Sequence, residues 1–179
     1  MIVSDQQRDE NFQEYLRLLN DSNYYDVTFD EKSGGVSAIH KDHQFDKKIG
    51  PFGIKRGAYE HTAITILRNN GYMVTLASEK TDVGSKQCDG FVYYSSMEIK
   101  TVEGEGRWAI RTKIYDAAKQ GADVVVLLFP NKNLYNLERV LEGWKMYEEV
   151  RIRNIEWPSI SSIMVIVEQN LIEIEKPSW

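Results

Sequence analysis

One cysteine in 179 residues, Cys88, leaves no intrachain disulfide to form and points away from an oxidising compartment. Standing at a strand start with no feature to lower its thiol pKa, Cys88 reads as a small packed residue and not as a nucleophile. No apolar run reaches membrane-spanning length, and the polar stretch 1–8 lacks the apolar core of a signal peptide, so a cytoplasmic protein without a membrane partner is expected. Basic excess is missing as well. A formal net charge of -5 argues against a nucleic-acid ligand held by overall charge, so any such ligand must rely on local clusters. Two exist: Lys41, Lys47, Lys48, Lys55 and Arg56 in one stretch, and Arg107, Arg111, Lys113 and Lys119 in another. Each is either a ligand surface or simply a solvated face.

What is present is ordinary for one well-buried domain: 42% hydrophobic and 27% charged residues. Helical spacing of Phe12, Tyr15, Leu16 and Leu19 predicts a helix over 5–19 with Ser4 as its N-cap, followed by a hairpin of 25–30 with 36–40 around Ser33-Gly34-Gly35. The stretch 41–57 has no period and reads as a loop able to lie across a site. A helix over 57–70 closed by Gly71, a strand over 72–76, a polar loop over 79–87, strands over 89–94 and 97–102, and a helix over 108–120 closed by Gly121 follow. Then come a strand over 123–129 buried on both faces, a helix over 134–149, and a final hairpin of 163–167 with 171–174 turning at Gln169-Asn170. The fold class is α/β (α+β). A single mixed sheet is flanked by helices, its core order is helix, three strands, helix, strand, helix, hairpin, and an N-terminal helix and hairpin precede it. As organisation this gives an extension over 1–40 and a core over 41–179 within one structural domain.

Chemistry concentrates in the central strands. Period-two alternation puts Glu98 and Lys100 on one face and Met97, Ile99 and Thr101 on the other. With a two- or four-residue turn near Ser95-Ser96, Asp89 joins the face of Glu98 and Lys100, whereas a bulged three-residue turn would separate them. Carboxylates on adjacent strands beside an ammonium are the ingredients for holding a divalent ion and stabilising charge on a transferring phosphate. The plain alternatives are a turn aspartate beside Gly90 and a wet sheet face at Glu98 and Lys100. Glu60 falls inside the apolar arc formed by Tyr59, Ala63, Ile64, Ile66 and Leu67, where a carboxylate needs a partner or an ion unless it reaches solvent or pairs with Lys55 or Arg56. His40, Lys41 and His43 form a possible acid-base set or the polar end of a hairpin, and His61 lies outside the apolar arc. On the helix over 108–120, Arg111 and Lys113 flank the buried stripe of Ile110, Ile114, Ala117 and Ala118, where each either contacts phosphate or snorkels. Trp108 and Trp144 fit helix packing.

Two resemblances follow. The run Gly57-Ala58-Tyr59-Glu60, then Ala63, Leu67, Gly71-Tyr72-Met73-Val74, Asp89-Gly90 and Glu98-Ile99-Lys100 resembles the PD-(D/E)xK, restriction-endonuclease-like nucleases over about half the chain, with Cys88 where that family has proline. This resemblance implies that Glu60, Asp89 and Glu98 hold Mg²⁺ or Mn²⁺ and that Lys100 orients water or stabilises charge. From His40 to Ile174 the layout also resembles the C-terminal tRNA-cleaving domains of contact-dependent inhibition toxins and related phage-borne domains of the barnase-like and colicin-like group. The features that carry it are the Tyr59-Glu60 helix, Asp89-Gly90, the run Ala117-Ala118-Lys119-Gln120-Gly121-Ala122-Asp123, the strand to Phe129 and the final hairpin. This second resemblance implies a metal-independent ribonuclease using groups such as His40, Lys41, His43 and Arg111, a mobile-element setting and an inhibitor or immunity partner. Both imply cleavage of phosphodiester bonds in DNA or RNA. A non-catalytic nucleic-acid or protein binding module on the same fold, consistent with the acidic balance, is the third expectation.

Overall fold

The computed structural model describes residues 3–78, 88–154 and 157–178. The loop expected over 79–87 therefore lies outside the described residues. Helix α1, Asp5–Leu19, starts where the Ser4 hydroxyl accepts from Gln7 N at 3.2 Å. Its apolar stripe is only half used: Leu18 is buried, while Phe12 and Leu16 remain 40% and 37% exposed. Strands β1 (Tyr24–Phe29) and β2 (Val36–His40) form the expected hairpin, with a bulge between Tyr25 and Thr28 that places Asp26 at φ 50°.

Helix α2, Arg56–Asn69, precedes β3 (Met73–Leu76), β4 (Gly90–Val92) and β5 (Ser95–Thr101). Helix α3, Ala109–Lys119, leads to β6, Val124–Phe129. A short 3-10 turn at Lys132–Leu134 precedes α4, Leu137–Arg153, which begins later than the sequence suggests because Asn136 provides the cap, accepting from Arg139 N at 3.2 Å. Strands β7 (Ser162–Val167) and β8 (Asn170–Glu175) close the chain. Their turn falls at Glu168-Gln169, one residue earlier than expected, with Glu168 at φ 57°.

All eight strands form one mixed sheet whose spatial order equals chain order. β2 and β3 are parallel, as are β5, β6 and β7, and the remaining neighbours are antiparallel. This is the α+β architecture with helices over a single sheet. Strand β6 is buried along its whole length, as its unbroken apolar run implies. Val125, Leu127 and Phe129 pack with Ile110, Ile114 and Trp144 of α3 and α4, while Val124, Val126 and Leu128 pack with Ile64, Ile66 and Leu67 of α2. The sheet thus separates two apolar layers, α2 on one side and α3 with α4 on the other.

β4 is short and central, and its geometry depends on Gly90. A Cβ there would overlap the Thr75 carbonyl oxygen on β3. Gly90→Ala is therefore expected to cost about 2 kcal/mol or more, read as a lower urea midpoint with unchanged slope, since a backbone neighbour cannot rotate away.

Candidate active site

The turn between β4 and β5 contains Tyr93 and Tyr94, not Ser95 and Ser96, because Val92 pairs with Ser95. Tyr93 takes φ 53° and is held by its N–H donating to Met73 O at 2.7 Å and by its ring 5.8 Å from that of Tyr72. The turn still has two residues, so face parity is kept and Asp89 comes opposite Glu98. The backbone ladder ends at Gly90 and Met97. Beyond it the two carboxylates take over: Glu98 Oε2 accepts from Asp89 N, and Asp89 Oδ2 accepts from Ile99 N, both at 2.8 Å. Lys100, two residues on and on the same face, donates to Glu98 Oε1. Glu98 is 1% exposed, so its charge is compensated almost wholly by Lys100 and the Asp89 N–H.

Burial, then the neighbouring charge of Glu98, pushes the Asp89 carboxyl up to about 7, with Glu60 adding to the rise and Lys100 and the Ile99 N–H opposing it. Two adjacent carboxyls facing one ammonium are short of positive charge by one unit.

These groups lie at the carboxyl ends of the parallel strands β2, β3 and β5, the end at which open α/β sheets bind ligands. A cleft of about 1140 Å³ opens there, lined by Glu60, Asp89, Glu98 and Lys100 together with segment 43–48 and the first turns of α2 and α3's flank. Segment 45–48 is held against α2: Gly57 N donates to Asp46 O at 2.8 Å and Arg56 N to Lys48 O at 2.9 Å. This accounts for the glycine at 57, where a Cβ would crowd Phe45 Cβ.

Glu60 has a partner the sequence reading did not pair with it. His43 Nε2 lies 3.1 Å from Glu60 Oε2, while His43 Nδ1 faces Ala77 O at 3.0 Å. A carbonyl can only accept, so Nδ1 is the donor to Ala77 O, and Nε2 is the nitrogen that faces the Glu60 carboxyl. The imidazole is fully buried and joins the ends of β2 and β3 to α2.

The other expected residues divide. Lys47, Lys48, Lys55, Arg56 and Lys113 line the cleft. Arg56 is forked onto Glu103 through Nε at 3.3 Å and Nη2 at 2.6 Å. Burial, then Arg56 and Lys100, lowers the Lys113 ammonium from its ordinary value against the pull of Glu103 and Asp116. Arg111 is not among the lining residues: its guanidinium lies 5.8 Å from the Trp108 ring and 5.6 Å from that of Trp157. Trp108 is 54% exposed and packs under Arg111 and, at 5.4 Å, Arg107 instead of in the core, whereas Trp144 is fully buried. His40 accepts from Asp42 N through Nδ1 at 3.1 Å and packs edge-on to Tyr24, and neither it nor the exposed Lys41 lines the cleft. His61 is exposed, 3.3 Å from Asp26 Oδ2. Cys88 donates to Gly90 O at 3.4 Å, and burial raises its thiol pKa. Among the described residues no three His, Cys, Asp or Glu side chains are gathered closely enough to cage a metal ion, and no helix is long and apolar enough to cross a membrane. Glu103 and Phe45, both at the cleft or its edge, were not singled out by motif or spacing.

Fold and site define an α+β protein with a carboxylate pair and a lysine in a basic-edged cleft at the strand ends. Among solved structures, a chain of the CdiA-CT/CdiI toxin and immunity complex from Burkholderia pseudomallei is similar, with a TM-score of 0.50, 16% identity, and coverage of 78% of this chain and 99% of that one. At that identity the likeness is one of fold. No family model matches the chain, and no curated protein matches it in sequence.

Proposed function

We propose that this chain is a nuclease, a cytoplasmic phosphodiester hydrolase of toxin type, with Asp89, Glu98 and Lys100 at its reacting centre. The observation that carries the reading is the placement of these three side chains on one sheet face at the floor of a cleft where a chain of net charge -5 gathers Lys47, Lys48, Lys55, Arg56 and Lys113. Phosphates would be held by those cations. The donor set suits a small hard cation in chemistry: Asp89 and Glu98 are neighbouring oxygen donors that, both ionised, carry one negative charge more than Lys100 balances. Two carboxylates, with water and substrate oxygens for the rest, are the usual holding set for Mg²⁺. When bound, Mg²⁺ or Mn²⁺ would supply Lewis acidity toward the phosphoryl oxygen and a more acidic water. Lys100 neutralises Glu98 and stands ready to stabilise charge on phosphate. Glu60, tethered by His43, is placed to orient a water molecule. The fold likeness to a toxin and immunity complex supports an inhibitor protein as partner.

The His43 and Glu60 contact favours a second reading, a metal-independent ribonuclease in which this pair acts as base toward a 2′-hydroxyl. Cleavage assays on DNA and RNA with Mg²⁺, Mn²⁺ or EDTA separate the two. Abolition by EDTA, with deoxy substrates cut, is expected. EDTA-resistant cleavage confined to RNA selects the second reading, and no cleavage at all leaves a binding module. Binding to single-stranded oligonucleotides is expected to weaken by about 0.7 log units per log unit of salt for each phosphate held. Salt-independent binding would count against the cleft as a nucleic-acid site.

A further inference from the structure

The cleft contains three inward cations with different fates. Lys100 is bonded to Glu98, and Arg56 is forked onto Glu103. Lys113, partly buried on the cleft-facing flank of α3, has no hydrogen bond or ion pair among the described residues. Glu103 and Asp116 pull on this ammonium without pairing with it, and a partly buried ammonium with no paired carboxylate is costly unless a ligand anion completes it. Its position is also specific. Glu98 and Lys100 share the sheet face of Val125 and Leu127, which α3 covers, while Glu60 reaches the cleft from α2 on the opposite face. A phosphate at the carboxylate pair would therefore have the tethered Glu60 on one side and Lys113 on the other. In-line displacement needs such an arrangement, since attacking and leaving oxygens lie on opposite sides of phosphorus.

We propose that Lys113 is the general acid of this site, a role that rests on the nuclease reading. As the water oxygen bonds to phosphorus and the bond to the nucleotide leaving oxygen breaks, Lys113 Nζ gives its proton to that oxygen. The water releases a proton to solvent, and the resulting amine regains one from solvent. Lys100 and Arg56 are poorly suited, because each already donates to a carboxylate of its own. Lys113 gives up its proton more readily than a lysine in water, owing to burial and to Arg56 of α2 and Lys100 of β5, with Glu103 after β5 and Asp116 of α3 opposing.

The test compares wild type and Lys113→Ala, as the full chain, on a single-stranded oligonucleotide and on bis(p-nitrophenyl) phosphate, whose nitrophenolate leaves without a proton. Oligonucleotide cleavage is expected to fall about 10²-fold or more and nitrophenyl ester hydrolysis less than about threefold. Equal losses on both substrates would make Lys113 a binding charge only and overturn the proposal. The oligonucleotide pH profile supplies a second readout. The wild-type rate should fall as pH rises through the lysine's titration, and this alkaline limb should disappear in Lys113→Ala. An unchanged limb overturns the proposal even if the ester is not a substrate. An active wild type with Lys113→Ala at full rate rejects the acid alone, whereas an inactive wild type rejects the nuclease reading and the acid with it.

Discussion

Glu98→Gln is expected to lower the rate of phosphodiester cleavage by about 10²-fold or more, the scale of a lost electrostatic contribution in a preorganised site, with little change in substrate affinity. Glu98 spends both oxygens, one accepting from Asp89 N and one from Lys100. Glutamine keeps the shape but has one acceptor, so it serves one of these donors and presents its own N–H to the other. The positive charge of Lys100 then loses its counter-charge, and the pair's affinity for a cation falls. Lys100→Ala should slow cleavage as much and also destabilise the fold by about 3 kcal/mol or more, because it strands a charge on a residue that is 1% exposed. His40→Ala, outside the cleft, is expected to leave the rate within about threefold, since it touches no reacting group. Rates measured at saturating substrate, with thermal melts of the same samples, separate catalysis from folding. A Glu98→Gln protein that is folded and fully active would remove the carboxylate pair from the mechanism.

The face shared by Asp89, Glu98 and Lys100 was legible because it depends on parity alone. Moving the turn from Ser95-Ser96 to Tyr93-Tyr94 changes which residues pair but not which side they take. β6 and α1 were legible for similar reasons, an apolar run too continuous for a half-exposed strand and a cap followed by helical spacing. The turn itself was not, since tyrosine prefers strands and it takes tertiary contacts, to Gly71, Tyr72 and Met73, to hold Tyr93 in a left-handed conformation. Glu60 was suspected because its place in the apolar arc required a partner, yet the partner came from segment 43–48, whose path has no period. Arg56 and Glu103 are 47 residues apart, a separation no local rule spans. Arg111 and Lys113 were candidates together, although two residues at about 100° each put them roughly 200° apart on the helix, so one cleft cannot receive both. Which flank faces the cleft depends on how α3 lies on the sheet, which is a packing outcome.

Asp89→Asn is expected to stabilise the protein by roughly 1–3 kcal/mol at pH 8 while removing activity. The Asp89 carboxyl titrates near 7 in the fold, raised by burial and by Glu98 from an ordinary value of 3.8. The sign follows from proton uptake. Between about pH 4 and 7 the folded chain holds this proton and the unfolded chain does not, so the contribution of Asp89 to stability falls as pH rises and its full cost is present above about 7. Asparagine does not titrate, and its amide oxygen can still accept from Ile99 N, the bond made at 2.8 Å by Asp89 Oδ2. Urea denaturation should therefore give variant and wild type similar midpoints near pH 4 and a gap that widens up to pH 8. A cation held by Asp89 and Glu98 would offset the same cost, so Mg²⁺ should raise the wild-type midpoint at pH 8 and leave that of Asp89→Asn nearly unmoved. A gap independent of pH would mean that Asp89 is ionised in the fold throughout this range, and an equal response to Mg²⁺ would mean that Asp89 is not one of its ligands.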